Sequence, residues 1–253
     1  MIPRRIIPVF LFSHGRLVKG TQFRDHIDVG DPISQAMIYD AQGADELIIL
    51  DIDATSESRH IPLEIIESMI NQCRLPIAAG GGIRSVQDAT RCFEAGADKI
   101  VINTHAVLNP SLVQELADEF GSQSVVVSID VKKNKEGVYD IYTHSGRQKN
   151  ATGLKAFIEQ IVNFGAGEIL VTSIDNEGTL NGYDNTLYQS LRTDIPVSFI
   201  ASGGAGCYDD IVNLFNKSDC DACTLGKMLF LRDYDIVRIK SYLTGRKIYV
   251  RDA

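Results

Sequence analysis

The chain has 253 residues, 44% of them hydrophobic, and a formal net charge of −8 at pH 7. A protein this acidic lacks the basic surface that nucleic acids and anionic membranes attract, so we expect neither as a partner. No stretch approaches the roughly 18 to 20 apolar residues that a membrane-spanning helix needs.

Short apolar runs rich in valine and isoleucine predict eight buried strands. They lie at residues 6–12, 47–50, 77–79, 100–102, 125–129, 169–171, 197–201 and 222–225. The first run follows two arginines, as in a secretory signal. It is short, contains a proline and lacks a small-residue cleavage site, so we interpret it as a strand.

Amphipathic stretches between the runs begin with residues typical of helix starts. These are Asp31 before Pro32, Ile61 before Pro62, Ser85 with Asp88 three residues later, and Asn109 before Pro110. Buried strands joined by single helices imply a parallel sheet, and eight such units close a barrel of about 250 residues. The predicted fold is therefore α/β, a single (β/α)8 TIM barrel spanning residues 1–253.

Two departures from simple alternation stand out. Residues 132–152 form the only long interruption, and their charged, glycine-punctuated pattern around 137–143 predicts a β-hairpin on the rim. The segment 43–53 recurs at 165–175, an offset of 122 residues, and Gly81 and Gly82 map onto Gly203 and Gly204 at that offset. We therefore predict half-barrel repeats over about 1–122 and 123–253.

Glycine turns follow equivalent strands in the two halves. Glycine lets backbone N–H groups approach an oxyanion closely, and phosphate often binds after the last strands of such barrels. We predict two phosphate cups, formed by Gly81, Gly82, Asn103 and Thr104, and by Gly203, Gly204, Gly226 and Lys227. The alternative is that the glycines merely permit tight turns. Two cups indicate a ligand with phosphate at both ends.

Five cysteines, an odd number, favour reduced thiols and a cytoplasmic location. Cys220 and Cys223 have the spacing of a metal or redox motif. No second ligand pair lies nearby, and Cys223 falls in a predicted strand. We expect neither a metal nor another cofactor.

Motifs along nearly the whole chain resemble, in order, the cyclase subunit (HisF) of imidazole glycerol phosphate synthase. They lie at residues 4–8, 15–20, 30–32, 43–47, 80–85, 97–99, 121–123, 165–169, 178–179, 182–184 and 201–206. The resemblance implies a lyase-type synthase of histidine biosynthesis. In that family, the barrel receives ammonia from a HisH glutaminase and uses it on a ribulosyl aminoimidazole carboxamide nucleotide with a phosphate at each end.

The resemblance also implies catalysis by two aspartates, at the ends of the first and fifth strands. Asp130 matches one of them, whereas Leu11 fills the position of the other. Leucine cannot transfer a proton, and loss of a positioned acid or base costs about 10²- to 10⁴-fold in rate. Asp51 and Asp175, both predicted at strand ends, are the candidate replacements. His14 and Lys227 also depart from the family pattern.

One charged residue precedes or begins each of four strands, and the set is Arg5, Glu46, Lys99 and Glu168. Two cations and two anions converging on one axis can form a closed salt-bridge ring, which has a purely stabilising interpretation. In the family that the chain resembles, these positions form the gate through which ammonia enters. Asp98 matches a residue that lies, in that family, near the face on which the glutaminase docks.

An intact ammonia entrance with an altered catalytic mouth suggests a diverted paralogue. We expect a HisF-like barrel subunit of a glutamine amidotransferase, with a HisH-like glutaminase and a phosphorylated nucleotide as partners. A third enzyme would use the ammonia to convert an acetamido to an acetamidino sugar in lipopolysaccharide or other surface-polysaccharide synthesis. The alternatives are histidine biosynthesis with a relocated acid–base group, and a non-catalytic partner that only activates the glutaminase.

Overall fold

The computed structural model describes residues 2–191 and 195–253. Its strands are β1 (Arg5–Ser13), β2 (Arg16–Thr21), β3 (Arg24–Gly30), β4 (Leu47–Asp51), β5 (Ile77–Gly80), β6 (Lys99–Ile102), β7 (Val125–Lys133), β8 (Tyr139–Thr143), β9 (Gln148–Gly153), β10 (Glu168–Ser173), β11 (Ser198–Ser202) and β12 (Ala222–Leu225).

The helices lie between the barrel strands or after the last of them. They are α1 (Pro32–Ala41), α2 (Leu63–Gln72), α3 (Val86–Glu94), α4 (Thr104–Leu108), α5 (Ser111–Phe120), α6 (Leu154–Asn163), α7 (Asn185–Leu191), α8 (Tyr208–Ser218), α9 (Lys227–Leu231) and α10 (Ile236–Gly245). Two of the four predicted start signals are side-chain caps: Asp31 and Ser85 accept hydrogen bonds from the first turns of α1 and α3. The prolines of the other two, Pro62 and Pro110, lie directly before α2 and α5.

Eight parallel strands close the barrel in the order β1, β4, β5, β6, β7, β10, β11, β12 and back to β1. Each of the eight predicted strands is present, and the predicted TIM barrel is confirmed. Alternate residues of a strand face opposite sides, so one set faces the helices and the other fills the barrel. A layer of buried apolar side chains crosses the interior, and every barrel strand contributes at least one of them, such as Ile48, Val101 and Leu170.

Two hairpins extend from the first and the fifth strands of the barrel, β1 and β7. β8 and β9 extend β7 in antiparallel fashion, which confirms the hairpin predicted for residues 132–152. The prediction that this was the only long interruption is wrong, because β2 and β3 form a second hairpin on β1. β3 was missed because five of its seven residues are exposed and it carries no apolar run.

Each hairpin is fastened to the opposite half of the barrel. The backbone N–H of Gln22, in the first hairpin, donates to the carbonyl of Glu177 at 2.8 Å. The Ser145 hydroxyl, in the second hairpin, donates to the carbonyl of Ile52 at 2.8 Å. The His144 N–H donates to the Thr104 hydroxyl at 3.0 Å. Both hairpins therefore cover the same end of the barrel.

Candidate active site and charged ring

Four charged side chains meet inside the barrel at the end where the strands begin. Arg5 lies 2.7 Å from Glu46 and 3.1 Å from Glu168, and Lys99 lies 2.9 and 2.8 Å from the same carboxylates. These contacts form a closed ring of alternating charge. Loss of solvation raises the pKa of Glu46, and Lys99 and Arg5 oppose that shift. Among the described residues, no donor reaches the buried Oε1 of Glu46.

Asp98 lies at the same end of the barrel, on its exposed surface. Its Oδ2 accepts a hydrogen bond from the Ile77 N–H at 2.8 Å, at the start of β5. Asp45 and Asp221 accept from Ile6 and Phe199 in the same way, at 2.7 and 2.9 Å. A local role in capping strand starts thus accounts for the position of the Asp98 carboxylate.

A cavity of about 200 Å³ opens at the other end, where the strands end. Apolar side chains of the interior layer, such as Val101 and Leu170, line it together with polar side chains such as Thr172. The first hairpin contributes Phe23, and the second contributes Arg147. The cavity is therefore assembled from both halves of the barrel and both hairpins.

Asp130, on β7, is only 7% exposed and lines this cavity. Its Oδ2 accepts a hydrogen bond from Asn103 Nδ2 at 2.8 Å. Burial raises the pKa of Asp130 to about 7; the Asn103 hydrogen bond opposes that shift and the Glu177 carboxylate adds to it. A carboxyl group that titrates near neutral pH exchanges protons readily, as a general acid or base must.

Leu11 lies on β1 and lines the same cavity. It pairs in register with Leu50 of β4, and both pack against the apolar interior layer. Two neighbouring strands therefore present leucines to the mouth. Leu11 therefore presents to the cavity a side chain that can neither donate nor accept a proton.

The two aspartates predicted as replacements have other partners. Asp51 lines the cavity, but its carboxylate is paired with Arg59, and its Oδ1 also accepts two backbone hydrogen bonds of 3.1 Å from the following loop. Asp175 does not line the cavity, and its Oδ2 accepts from the Lys133 N–H at 2.8 Å. The exposed His14 ring contacts acidic side chains on the rim.

The sequence analysis missed two ionisable residues, one that lines the mouth and one buried beside it. Glu177 lies in the loop after β10, two residues beyond Asp175, and lines the cavity with Asp130. Loss of solvation raises its pKa, and Lys19 and Lys227 oppose that shift. Lys19 is 1% exposed, and its Nζ donates to the Val9 carbonyl at 2.6 Å. Burial lowers the pKa of Lys19 to about 8, against the opposing pull of Glu177.

The first predicted cup is tightly packed around its glycines. Gly81 and Gly82 have φ of 132° and 74°, a region that side chains disfavour. A Cβ on Gly82 would lie 2.0 Å from the Arg59 carbonyl oxygen. Backbone packing therefore requires glycine at position 82 whether or not an anion binds there.

The polar residues predicted for the first cup serve two different neighbours. The Asn103 amide donates to Asp130, and its buried Oδ1 has no partner among the described residues. The Thr104 hydroxyl accepts from the backbone of the second hairpin. Asn103 thus connects the first predicted cup to Asp130, and Thr104 connects it to the second hairpin.

The second cup brings its four predicted residues together. A small cavity is lined by Gly203, Gly204, Gly226 and Lys227, together with Glu177 and Thr224. Lys227 Nζ donates to the Thr21 hydroxyl at 2.7 Å, which links the cup to the first hairpin. Thr224 is 2% exposed, and no described group hydrogen-bonds its Oγ1. The cup therefore combines a cation with an unsatisfied buried hydroxyl.

Three further features bear on chemistry elsewhere in the molecule. All five cysteines are free thiols, and four of them are buried. Within residues 2–191 and 195–253, no group of three or more His, Cys, Asp or Glu side chains is arranged to hold a metal ion. In the same ranges, none of the helices has the length and apolar character needed to cross a membrane.

Comparison with known proteins matches residues 5–235 to the family described as "Histidine biosynthesis protein". Over 252 residues, the chain is 42% identical to the imidazole glycerol phosphate synthase subunit HisF of Bacillus subtilis (strain 168) and to that of Geobacillus kaustophilus (strain HTA426). Each alignment covers 99% of this chain and 100% of the relative. The chain belongs to the HisF family. The HisF subunit of Alkaliphilus metalliredigens (strain QYMF) is 40% identical over 253 residues, with the same coverage.

Proposed function

We propose that the chain is the ammonia-receiving barrel subunit of a glutamine amidotransferase and docks a HisH-like glutaminase at the end where its strands begin. The closed ring of Arg5, Glu46, Lys99 and Glu168 is the observation that carries this proposal. Burying two ion pairs brings little net stability, because desolvation offsets the Coulomb gain. A functional reason for the ring is therefore favoured, and we assign it as the gate for ammonia.

Docking would use the surface around the ring, including Asp98. A stable interface of this kind buries at least about 1,000 Å² in total. Ammonia released by the glutaminase would enter through the ring and cross the apolar interior layer to reach the mouth. The uncharged molecule suits this path, because an apolar interior strongly disfavours ammonium.

At the mouth, we propose that the ligand is a phosphorylated nucleotide whose two phosphates occupy the two glycine cups. Asp130 acts there as the acid–base group, a role that its pKa of about 7 supports. Leu11 removes the second aspartate of the family's mechanism. We therefore propose a diverted activity, in which ammonia serves acetamido-to-acetamidino sugar modification completed by a third enzyme.

A second candidate is authentic imidazole glycerol phosphate synthesis with a relocated acid–base group. Glu177 favours it, because this carboxylate lines the same cavity as Asp130 and interacts with it electrostatically. Two coupled carboxylates titrate at separated pKa values, so one donates a proton while the other accepts. Lys19 adds a buried amine that interacts electrostatically with Glu177.

The deciding experiment measures turnover of the ribulosyl nucleotide with excess ammonium salt, which makes a glutaminase unnecessary. The diverted activity predicts turnover at least about 10²-fold below that of an ordinary HisF subunit. Turnover within about tenfold of it, abolished by Asp130→Asn or Glu177→Gln, would establish the histidine reaction.

Docking is tested separately by co-expression with glutaminases from the same genome, followed by size exclusion and glutaminase assays. Co-elution together with glutaminase activation supports the gate. If no candidate co-elutes and none gains activity, the ammonia-receiving role is wrong. A glutaminase that is activated without any product from the barrel would identify a non-catalytic partner.

A further inference from the structure

Two lysines approach the second phosphate cup from different elements. Lys227 begins α9 and lines the cup, next to Gly226. Lys19 reaches the same turn from β2, since a Cβ on Gly226 would lie 2.8 Å from Lys19 Nζ. The missing side chain of Gly226 thus leaves room for a buried amine directly behind the cup.

Few groups stabilise the charge of Lys19. β1 supplies the Val9 carbonyl, and α9 supplies the Phe230 ring, whose centroid lies 5.4 Å from Nζ. The Glu177 carboxylate, in the loop after β10, attracts the Lys19 ammonium. His26, on β3, does not stabilise it, because the charge of Lys19 lowers the pKa of His26. An ammonium group has three N–H donors, so Lys19 retains capacity for a further acceptor.

The lining of the cup also includes a residue whose hydroxyl lacks a hydrogen-bond partner among the described residues. Thr224 lines this cavity with Lys227 and is 2% exposed, and its hydroxyl oxygen has no hydrogen-bond partner among the described residues. Leaving a buried hydroxyl unsatisfied costs about 1–3 kcal/mol. A ligand with acceptor oxygens would satisfy it.

We propose that Lys19 makes the second cup a proton-linked anion site, in which binding of a dianion such as a phosphate monoester is accompanied by uptake of a proton on Lys19. This inference rests on the second cup being an anion site, as proposed above. The ligand thereby increases the positive charge of the cup, because its binding protonates Lys19.

The physical reason is linkage. A nearby anion favours the charged form of an amine, so the pKa of Lys19, about 8 in the free protein, rises when the cup is filled. Binding and protonation then support each other. Each unit of that rise corresponds to about a tenfold stronger affinity below the free pKa than far above it. Anion affinity should consequently fall as the pH rises through 8 and 9.

Sulfate is the suitable probe, because it keeps both charges throughout the neutral and mildly alkaline range. Titration calorimetry in buffers of different ionisation enthalpy gives the number of protons taken up with each sulfate. At about pH 8.5, a one-unit rise in the pKa of Lys19 corresponds to uptake of about half a proton. Lys227→Met should weaken binding and leave the uptake in place.

Lys19→Met should bind sulfate without the uptake of that half proton. The difference in proton uptake between this variant and the wild type cancels any protons taken up at the first cup. Lys19→Arg tests the same point with a cation that cannot be deprotonated, should the methionine variant fail to fold. Wild-type binding without proton uptake, or uptake unchanged in both Lys19 variants, overturns the inference and leaves the anion site intact. Absence of sulfate binding to the wild type overturns the proposed cup and the inference with it.

Discussion

Replacing Asp130 by asparagine should stabilise the folded protein above neutral pH. Burial raises the pKa of this carboxyl group from 3.8 to about 7. The folded state therefore holds the proton more tightly than the unfolded state, and ionisation of Asp130 opposes folding. This cost is absent below the unfolded pKa, grows as the pH rises, and is complete above pH 7. Asparagine resembles the protonated form in shape and charge, so it avoids the cost.

The size of the effect follows from the shift. A difference of about three pKa units corresponds to about 4 kcal/mol at pH 8. About 3 kcal/mol of it should develop between pH 5 and pH 8, since part of the cost is already present at pH 5. The hydrogen bond from Asn103 is kept, because the asparagine side-chain oxygen still accepts it.

Urea unfolding of the wild type and Asp130→Asn at the two pH values measures this difference. Asp118→Asn is the matched control, because it removes the same unit of charge from an exposed position on α5. It should leave the stability within about 0.5 kcal/mol at both pH values. If Asp130→Asn is no more stable than the wild type at pH 8, the carboxyl group is not held at a raised pKa and our account of its role fails.

Three other substitutions have defined outcomes. Leu11→Asp should restore part of the turnover of the ribulosyl nucleotide with ammonium salt, because it places a second carboxyl group in the mouth with Asp130. Turnover no higher than that of the wild type would contradict the inferred mechanism. Lys99→Met should lower the free energy of unfolding in urea by about 3 kcal/mol, because two buried carboxylates lose a cation. It should also impair glutamine-driven turnover more than ammonium-driven turnover, and equal loss of both would argue against a gate. Gly82→Ala should destabilise the fold by at least about 2 kcal/mol in thermal unfolding, since its Cβ meets the Arg59 carbonyl; unchanged stability would refute the close packing.

The barrel was predictable because its strands are buried on both faces. Runs such as the one at residues 125–129 leave little choice but a central parallel strand. The β2–β3 hairpin escaped prediction because β3 is stabilised by pairing with β2 at the rim and not by burial of its own side chains. Strand pairing without an apolar pattern leaves no periodicity to detect.

The polar site was predictable only in part. Asp130 lines the cavity that its place on the predicted fifth barrel strand indicated, because that position follows from β7 alone. The partners of Asp51 and the burial of Lys19 depend on how loops and hairpins close over the barrel, which no local pattern encodes. Glu177 sits in a βα loop, where functional residues are common, but strand-end spacing favoured Asp175.

The crossed attachment of the two hairpins constrains how this barrel can be recombined. The first hairpin bonds to the loop after β10, whereas the second bonds to the loop after β4 and to the first residue of α4. Neither half of the chain contains both a hairpin and the surface that seats it. A chimera joining half-barrels from two parents would therefore need matched contacts at Glu177, Ile52 and Thr104, even where its strands pair perfectly. A substitution at one of these contacts must therefore be compatible with the hairpin that the other half contributes.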